Sequence, residues 1–527
     1  MNLFSNPEIL RNARIQLRPR KLLIAAAICA AVSVVLGYVF FQGNVSVNGL
    51  PVSDRGGLLL HTILMIQAAV LVIGGGIACI HAIQREKDQN TFDFQRLTRL
   101  SPLELTLGKL FGTPLMVFFV FLCLVPAAIV GAVAGHSSAT IVLAAYLLLI
   151  LGAIVYNAFA LVMSLFLRRG TVTWAILFFL VFVGYSSGSN VFLAAYLAFG
   201  SVSPFVAIEL VRQNSWSLAS STLMVGGHTF YPPNPFRDLF FGMPVHHALV
   251  LFIFYITILA WLIPAVARNI KRDPTNYELY TPGQALGFLC YLNFILFAFF
   301  RWTFPPLGDG FNMKFQPVSP WAAQSMLLAV NILIFFIFGF ILLRNRNQFR
   351  RYLHGGDPAP VARLETWPAP YLFLGLLIVA IAMILVIQWK RDPSLEWSLA
   401  IAIFRVAYFA FWLICDFLFL QWMNLRRGAH SLLMGVLYLG VYYACAMTVV
   451  LSLHLGTNPF TAFFLPTPLF ALDTASWSAH QAVWIGALIA QIAAGVVFMF
   501  LQRQRIAELQ PHSSRVSISA QPSGIAS

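Results

Sequence analysis

Along this chain, apolar runs of about 20 residues, the length that crosses a bilayer as a helix, alternate with shorter polar segments. The pattern predicts twelve spans, at 22–41, 59–83, 113–134, 139–166, 172–188, 247–267, 283–300, 322–343, 370–388, 397–421, 432–453 and 483–502. Helices are the economical choice, because backbone groups facing lipid must pair within their own segment. The segment before the first span, "NPEILRNARIQLRPRK", has helical periodicity: Ile9, Leu10, Ala13 and Leu17 share one arc, and Arg11, Arg14 and Arg18 share the neighbouring one. It reads either as an amphipathic helix in the inner interface, with arginines toward lipid phosphates, or as a basic flank that sets topology. Segments 189–246 and 454–482 are apolar, aromatic and too interrupted by proline to span; they are expected to form re-entrant or interfacial elements at the external mouth. From Pro511 the chain is rich in serine and small residues and reads as a disordered tail, 511–527.

Composition supports the same class. Hydrophobic residues make up 59% of the chain, charged residues 10%, and the mean hydropathy is +0.80. The net charge of +15 gains meaning from its distribution. With the N-terminus inside, cytoplasmic segments collect 25 of the 33 Lys and Arg and external loops collect seven, with Arg405 inside a span. That is the positive-inside pattern, so both termini are expected in the cytoplasm, and the basicity gives no support to nucleic-acid binding. All six cysteines fall inside predicted spans, where a thiol behaves as a small hydrophobe; neither a disulfide framework nor a metal motif follows. Residues 22–41 are too long for a signal-peptide core and are expected to stay as the first span.

The twelve spans suggest two sixes. "LRRG" follows the fourth span at 167–170 and the tenth at 425–428. "NPF" precedes the sixth span at 234–236 and the twelfth at 458–460, with His246 and His480 near the start of each of these two spans. A common order of such short matches fits an ancient duplication, a frequent way to build transporters. The expected fold is therefore an all-α polytopic membrane protein of about 12 transmembrane helices, 6+6. Its divisions are 1–21, a first half at 22–275, a second at 276–510, and the tail.

One stretch departs from the oily pattern. Residues 84–112 carry nine charges between the second and third spans. "SPLE" is a helix start, with Ser101 as N-cap, Pro102 at the first helical position and Glu104 placed to complete a capping box. The preceding "TFDFQRLTRL" reads as a separate short helix, capped by Thr91 or Asn90, with Asp93 in its first turn and Phe94, Leu97 and Leu100 along one side. A short charged helix with an apolar stripe suits docking of a cytoplasmic partner. The plain alternative is a charged loop that only enforces topology.

These residues resemble the permease subunits of ATP-binding-cassette (ABC) exporters of the type-2 transmembrane class. Such permeases carry a signature like "RE…GT…L…TPLS…E…LGK" between their second and third spans. Here Arg85, Glu86, Thr91, Leu97, Thr98, Ser101, Pro102, Glu104, Gly108 and Lys109 stand in that order. Asn90 replaces the usual glycine, and Arg99 is an added basic residue. The N-terminal "NP…LR" is similar to the family's connecting helix, and the aromatic loop before the sixth span to its external re-entrant hairpin. The resemblance covers residues 1–275 and implies that 84–112 is the segment coupled to an ATPase. Docking then falls to Phe92, Asp93, Phe94 and Leu97, with Glu86 and Lys109 fixing the ends by charge pairs. It further implies a lipid bilayer as surroundings, the bacterial cytoplasmic (inner) membrane as location, and a cytosolic ABC ATPase dimer as partner. That dimer carries ATP-Mg, and this chain binds no cofactor of its own. If the two halves do not pair within the chain, a homodimer follows.

The chain itself offers no nucleotide site, since "LGK" at 107–109 lacks the earlier glycine and the following Ser or Thr of a phosphate-binding loop. The loop at 344–369 occupies the equivalent position in the second half without the Glu, Thr and Gly-Lys pattern. Within the spans, Arg405 and Asp416 lie 11 residues apart on nearly one helix face. A charge at the bilayer centre costs at least about 2.5 kcal/mol, so both are functional candidates, although pairing with another helix, or snorkelling by Arg405, also accounts for them. His61, Asn157, Asn293 and Asn331 are expected to form interhelical hydrogen bonds. An ion-coupled secondary transporter is the alternative reading, for which Asp416 is the fair carboxylate. A membrane-embedded glycosyl- or phosphotransferase needs an acidic pair at a mouth, and the first external loop offers only Asp54.

Overall fold

The computed structural model describes residues 6–42, 52–89, 91–92, 97, 99–166, 208, 211, 247–272, 279–303, 399–426, 431–452, 459–463 and 474–509, and four short strands between 223 and 244. The helices are α1 (Pro7–Gln16), α2 (Pro19–Phe41), α3 (Val52–Ala69), a π turn (Val70–Gly74), α4 (Gly75–Asp88), α5 (Pro102–Gly112), α6 (Leu115–Ala134) and α7 (Ala139–Phe166). They continue as α8 (His247–Ile270), α9 (Pro282–Thr303), α10 (Leu399–Asn424), α11 (Ser431–Ser452), a 3-10 turn (Pro459–Phe463) and α12 (Thr474–Leu509).

Seven helices among the described residues are long and apolar enough to cross a membrane, so the protein is a helical, membrane-embedded one. They match the expected first, second, third, fourth, sixth, tenth and twelfth spans. α9 and α11 contain shorter apolar helices, 283–295 and 434–443, where the seventh and eleventh were expected. The expected spans at 172–188, 322–343 and 370–388, Asn331, and the tail 511–527 lie outside the described residues.

Two boundaries differ clearly from expectation. The second-span helix runs on to Asp88, so the first residues of the polar stretch belong to it; Arg85 and Lys87 in its last turn complement the helix dipole. The last helix begins at Thr474 rather than 483 and is kinked at His480, where φ is −134°. The connection 189–246, expected to be re-entrant or interfacial, contains two antiparallel hairpins, β1 (Leu223–Val225) with β2 (His228–Phe230) and β3 (Leu239–Phe240) with β4 (Met243–Pro244). The fold is thus helical with small β elements in one connection.

The chain forms two compact units, residues 1–279 with 298–313, and 280–297 with 314–527. In the first, α3 packs along α6, and α7 packs against both α4 and α8. The α3–α6 approach is set by glycine: a Cβ on Gly56 would stand 2.3 Å from the Gly135 nitrogen, and one on Gly131 2.8 Å from that of Leu60. Small residues let helices without a hydrophobic driving force between them come into backbone contact. Leu60, Ile63, Leu64, Ala68, Leu71, Leu161 and Leu251 form a fully covered interior. By contrast, Leu23, Val34, Val35 and Tyr38 of α2 are exposed, as suits a helix bordered by lipid. In the second unit α10 packs between α11 and α12, and the 3-10 turn lies on α12. Phe404, Tyr408 and Trp412, one turn apart on α10, gather Ala462, Trp477 and Trp484 into an aromatic core.

Candidate functional site

The polar stretch comes to rest against the N-terminal helix. α1 and α5 start alike, each with a polar cap followed by proline. The Asn6 side chain accepts from the Glu8 amide at 2.9 Å. Ser101 Oγ accepts from the Glu104 amide at 3.1 Å, and Glu104 Oε2 accepts from the Ser101 amide at 2.8 Å, which is the capping box expected from "SPLE". The Ser101 amide and then its hydroxyl hold the Glu104 carboxyl below its ordinary value. The two starts are joined directly, because Asn6 Nδ2 donates to the Glu104 carbonyl at 2.7 Å.

Below this junction lies an ion cluster drawn from three helices. Lys109 Nζ stands 2.5 Å from Glu86 Oε2 and 3.8 Å from Glu8 Oε1. Arg11 reaches Glu8 at 2.8 Å and Glu86 at 3.3 Å. The Lys109 side chain is wholly covered, while Arg11 is 48% exposed. Two acids and two bases balance, which lets a lysine be buried without a net charge. Gly108 makes the approach geometrically feasible: a Cβ there would meet Glu8 Cβ at 2.7 Å and Asn6 Oδ1 at 3.0 Å. One turn on, a Cβ at Gly112 would meet Ile9 Cα at 3.2 Å. Gln16 completes the seam, donating to the Thr113 carbonyl at 2.9 Å and accepting from the Met116 amide at 3.2 Å. Beside the cluster, Lys87 Nζ donates to the Ser164 and Leu165 carbonyls at 2.8 and 2.9 Å, closing the end of α7 against α4.

Sequence reasoning singled out Glu86, Gly108 and Lys109 as members of a signature; the structure brings them together, and Glu86 and Lys109 pair with each other. It missed Asn6, Glu8, Arg11 and Gln16 as their partners. The apolar arc of α1 drew attention instead; of it Leu10 stays 44% exposed while Ile9, Ala13 and Leu17 are half-buried, and Asn6, Glu8 and Gln16 supply the polar contacts. The signal available was the "NPE" start, whose acid can pair with a lysine only by tertiary contact.

The expected docking residues divide. Leu97 is 84% exposed, as a docking side chain requires, but Phe92 is 4% exposed and so leaves the docking set for the interior. Asp93, Phe94 and Thr98 lie outside the described residues, as does most of the short helix expected around them. Arg85 and Thr91 are exposed, and the Thr91 amide closes the end of α4 on the Glu86 carbonyl at 3.0 Å.

The intramembrane charges do not meet. Arg405 is 1% exposed, so it does not snorkel. Asp416 accepts a hydrogen bond from Tyr443 of α11 at 2.5 Å, and the same tyrosine oxygen accepts from Trp412 Nε1 at 2.6 Å. Among the described residues, Asn293 donates to Leu289 of its own helix at 3.1 Å rather than to another helix. Asn157 finds no hydrogen-bond partner at either side-chain atom among the described residues, while His61 is engaged. Among the described residues no three His, Cys, Asp or Glu side chains gather as a metal site. No family model, curated protein or solved structure matches this chain.

Proposed function

We propose that this chain is the membrane-spanning permease subunit of an ATP-driven ABC exporter, worked by a separate cytosolic ATPase dimer that carries ATP-Mg. The observation that carries the reading is the cluster of Glu8, Arg11, Glu86 and Lys109. A permease of this kind must pass a rigid-body movement of its ATPase into its spans, and only a stiff junction transmits it. Here the end of α4, α5 and the N-terminal helix are fixed to one another by these four side chains. In the same connection, exposed Leu97 and Leu103 offer apolar contacts to a cytosolic partner. Replacing Leu97 by Asp places a charge in the docking contact without a partner. The ATPase should then no longer co-purify and transport should stop, while the chain still inserts. Retention of both with Leu97→Asp sinks the assignment.

One observation favours the alternative, an ion-coupled secondary transporter. Asp416 sits in a span with a tyrosine as hydrogen-bond donor and, among the described residues, no ion pair of its own. Flux in ATP-free vesicles that collapses with an ionophore would select that reading over the first.

A further inference from the structure

The second span is interrupted by the π turn Val70–Gly74, and the chain leaves it through three successive glycines, Gly74, Gly75 and Gly76. Each glycine inside a helix costs about 1 kcal/mol relative to alanine, so a run of three in a span needs a cause. One is visible at Gly75. A Cβ there would stand 2.6 Å from Oδ1 and 2.7 Å from Nδ2 of Asn157, so this α7 amide lies directly against the α4 main chain. Asn157 is 1% exposed, and among the described residues neither its oxygen nor its nitrogen has a hydrogen-bond partner. A buried amide with both ends unpaired is exceptional and calls for an explanation. Gly74 is less confined: a Cβ there would meet only the Val117 methyl carbons, at 3.3 and 3.6 Å.

A π turn holds one residue more than the α-helical turn it replaces. We infer that the second span is a two-register element, in which the π turn rewinds to a regular α-helix and advances α4 by one residue beneath Asn157. Such an advance is about 1.5 Å along the axis and about 100° around it. It brings Gly74 to the place where Gly75 now lies, so the space against Asn157 holds no Cβ in either register. The glycine run is then explained as the condition for the movement.

The charges at the other end of α4 decide which register is held. In the present one Glu86 faces Lys109 at 2.5 Å, and Lys87 caps the Ser164 and Leu165 carbonyls. After the advance Arg85 faces Lys109 and Glu86 faces those carbonyls, and both juxtapositions are repulsive. The cluster therefore holds the π register, and opening it releases the α register. If the cluster is the docking junction of the proposed permease, movement of a partner is converted into rotation of a span; that last link rests on the proposed function, whereas the register change does not.

Amide hydrogen exchange over residues 75–88 of the full chain in lipid nanodiscs tests this without any ATPase or substrate. Glu86→Gln should accelerate exchange on the order of ten-fold, the effect of losing one charge-assisted contact. Deleting Val72 removes the extra residue. Gly74→Ala, which serves also if the deletion does not fold, puts a methyl group against Asn157 only in the advanced register. In either background Glu86→Gln should leave the exchange unchanged. Equal acceleration in all backgrounds reduces the effect to fraying of α4 and overturns the two-register element, as does a lack of acceleration in the native background. Because the readout is independent of partner and substrate, its failure is separate from failure of the permease reading.

Discussion

Lys109 is the residue on which the cytosolic junction turns. Its ammonium is covered completely and lies between Glu86 and Glu8, so its loss would leave two carboxylates close together beneath α1, both in contact with the half-exposed Arg11. Breaking a buried ion pair by removing one partner costs about 3–5 kcal/mol, much of it the desolvation of the charge left behind. Lys109→Ala is expected to destabilise the chain by about that amount in denaturation from detergent micelles. The triple variant Lys109→Ala with Glu8→Gln and Glu86→Gln should recover a good part, since the orphaned charges are then gone. Absence of recovery would mean that packing, not charge, holds the junction. The sequence made Lys109 visible only as one letter of a signature; its burial depends on a glutamate 101 positions earlier and on Gly108 having no Cβ.

At the scale of elements, α10 organises the second unit as α4 and α5 organise the first. Its residues Phe404, Tyr408 and Trp412 recur one turn apart, with centroid separations of 6.2 and 5.8 Å. Tyr408 donates to the Ala462 carbonyl, which ties the 3-10 turn of the connection to the helix. A turn further on, Asp416 takes its hydrogen bond from Tyr443, tying α10 to α11. Tyr443→Phe removes the donor and leaves a carboxylate unsatisfied within the bundle, a change worth about 1–3 kcal/mol. Thermal unfolding should show that loss, and Asp416→Asn, which still accepts from the tyrosine, should be milder. A larger effect of Asp416→Asn than of Tyr443→Phe would show that the carboxylate's charge, rather than the bond, carries the contribution. Helix existence at these positions was legible from apolar length, but which faces of α10 meet which neighbours was not, because an all-round apolar helix has no amphipathic stripe to read.

For the whole molecule, the question is how many chains make one transporter. The proposed exporter needs two sets of about six spans and two ATPases, and the repeated "LRRG" and "NPF" segments speak for both sets lying in one chain. The capped α5 and its ion cluster have no sequence counterpart at 344–369. One permease chain per two ATPase subunits is therefore expected, with one ATPase held strongly beneath 84–112 and the other weakly. Native mass measurement of the purified complex decides it. Two permease chains per two ATPases would instead assign each half of the pathway to a separate copy and leave the second six spans as an appended part.

The amino-acid sequence by itself determined that this is a helical membrane protein, because crossing a bilayer demands long uncharged helices and that demand is written in one dimension, residue after residue. It also determined the start of α5, since Ser101, Pro102 and Glu104 act on one another within a single turn. Tertiary structure alone decided that α1 meets α5 through Asn6, Glu8 and Gln16, that Phe92 is interior and Leu97 exterior, and that Asn157 stands against Gly75 without a partner. These are contacts between positions tens of residues apart, and no local periodicity or propensity encodes which distant group fills the space beside a side chain.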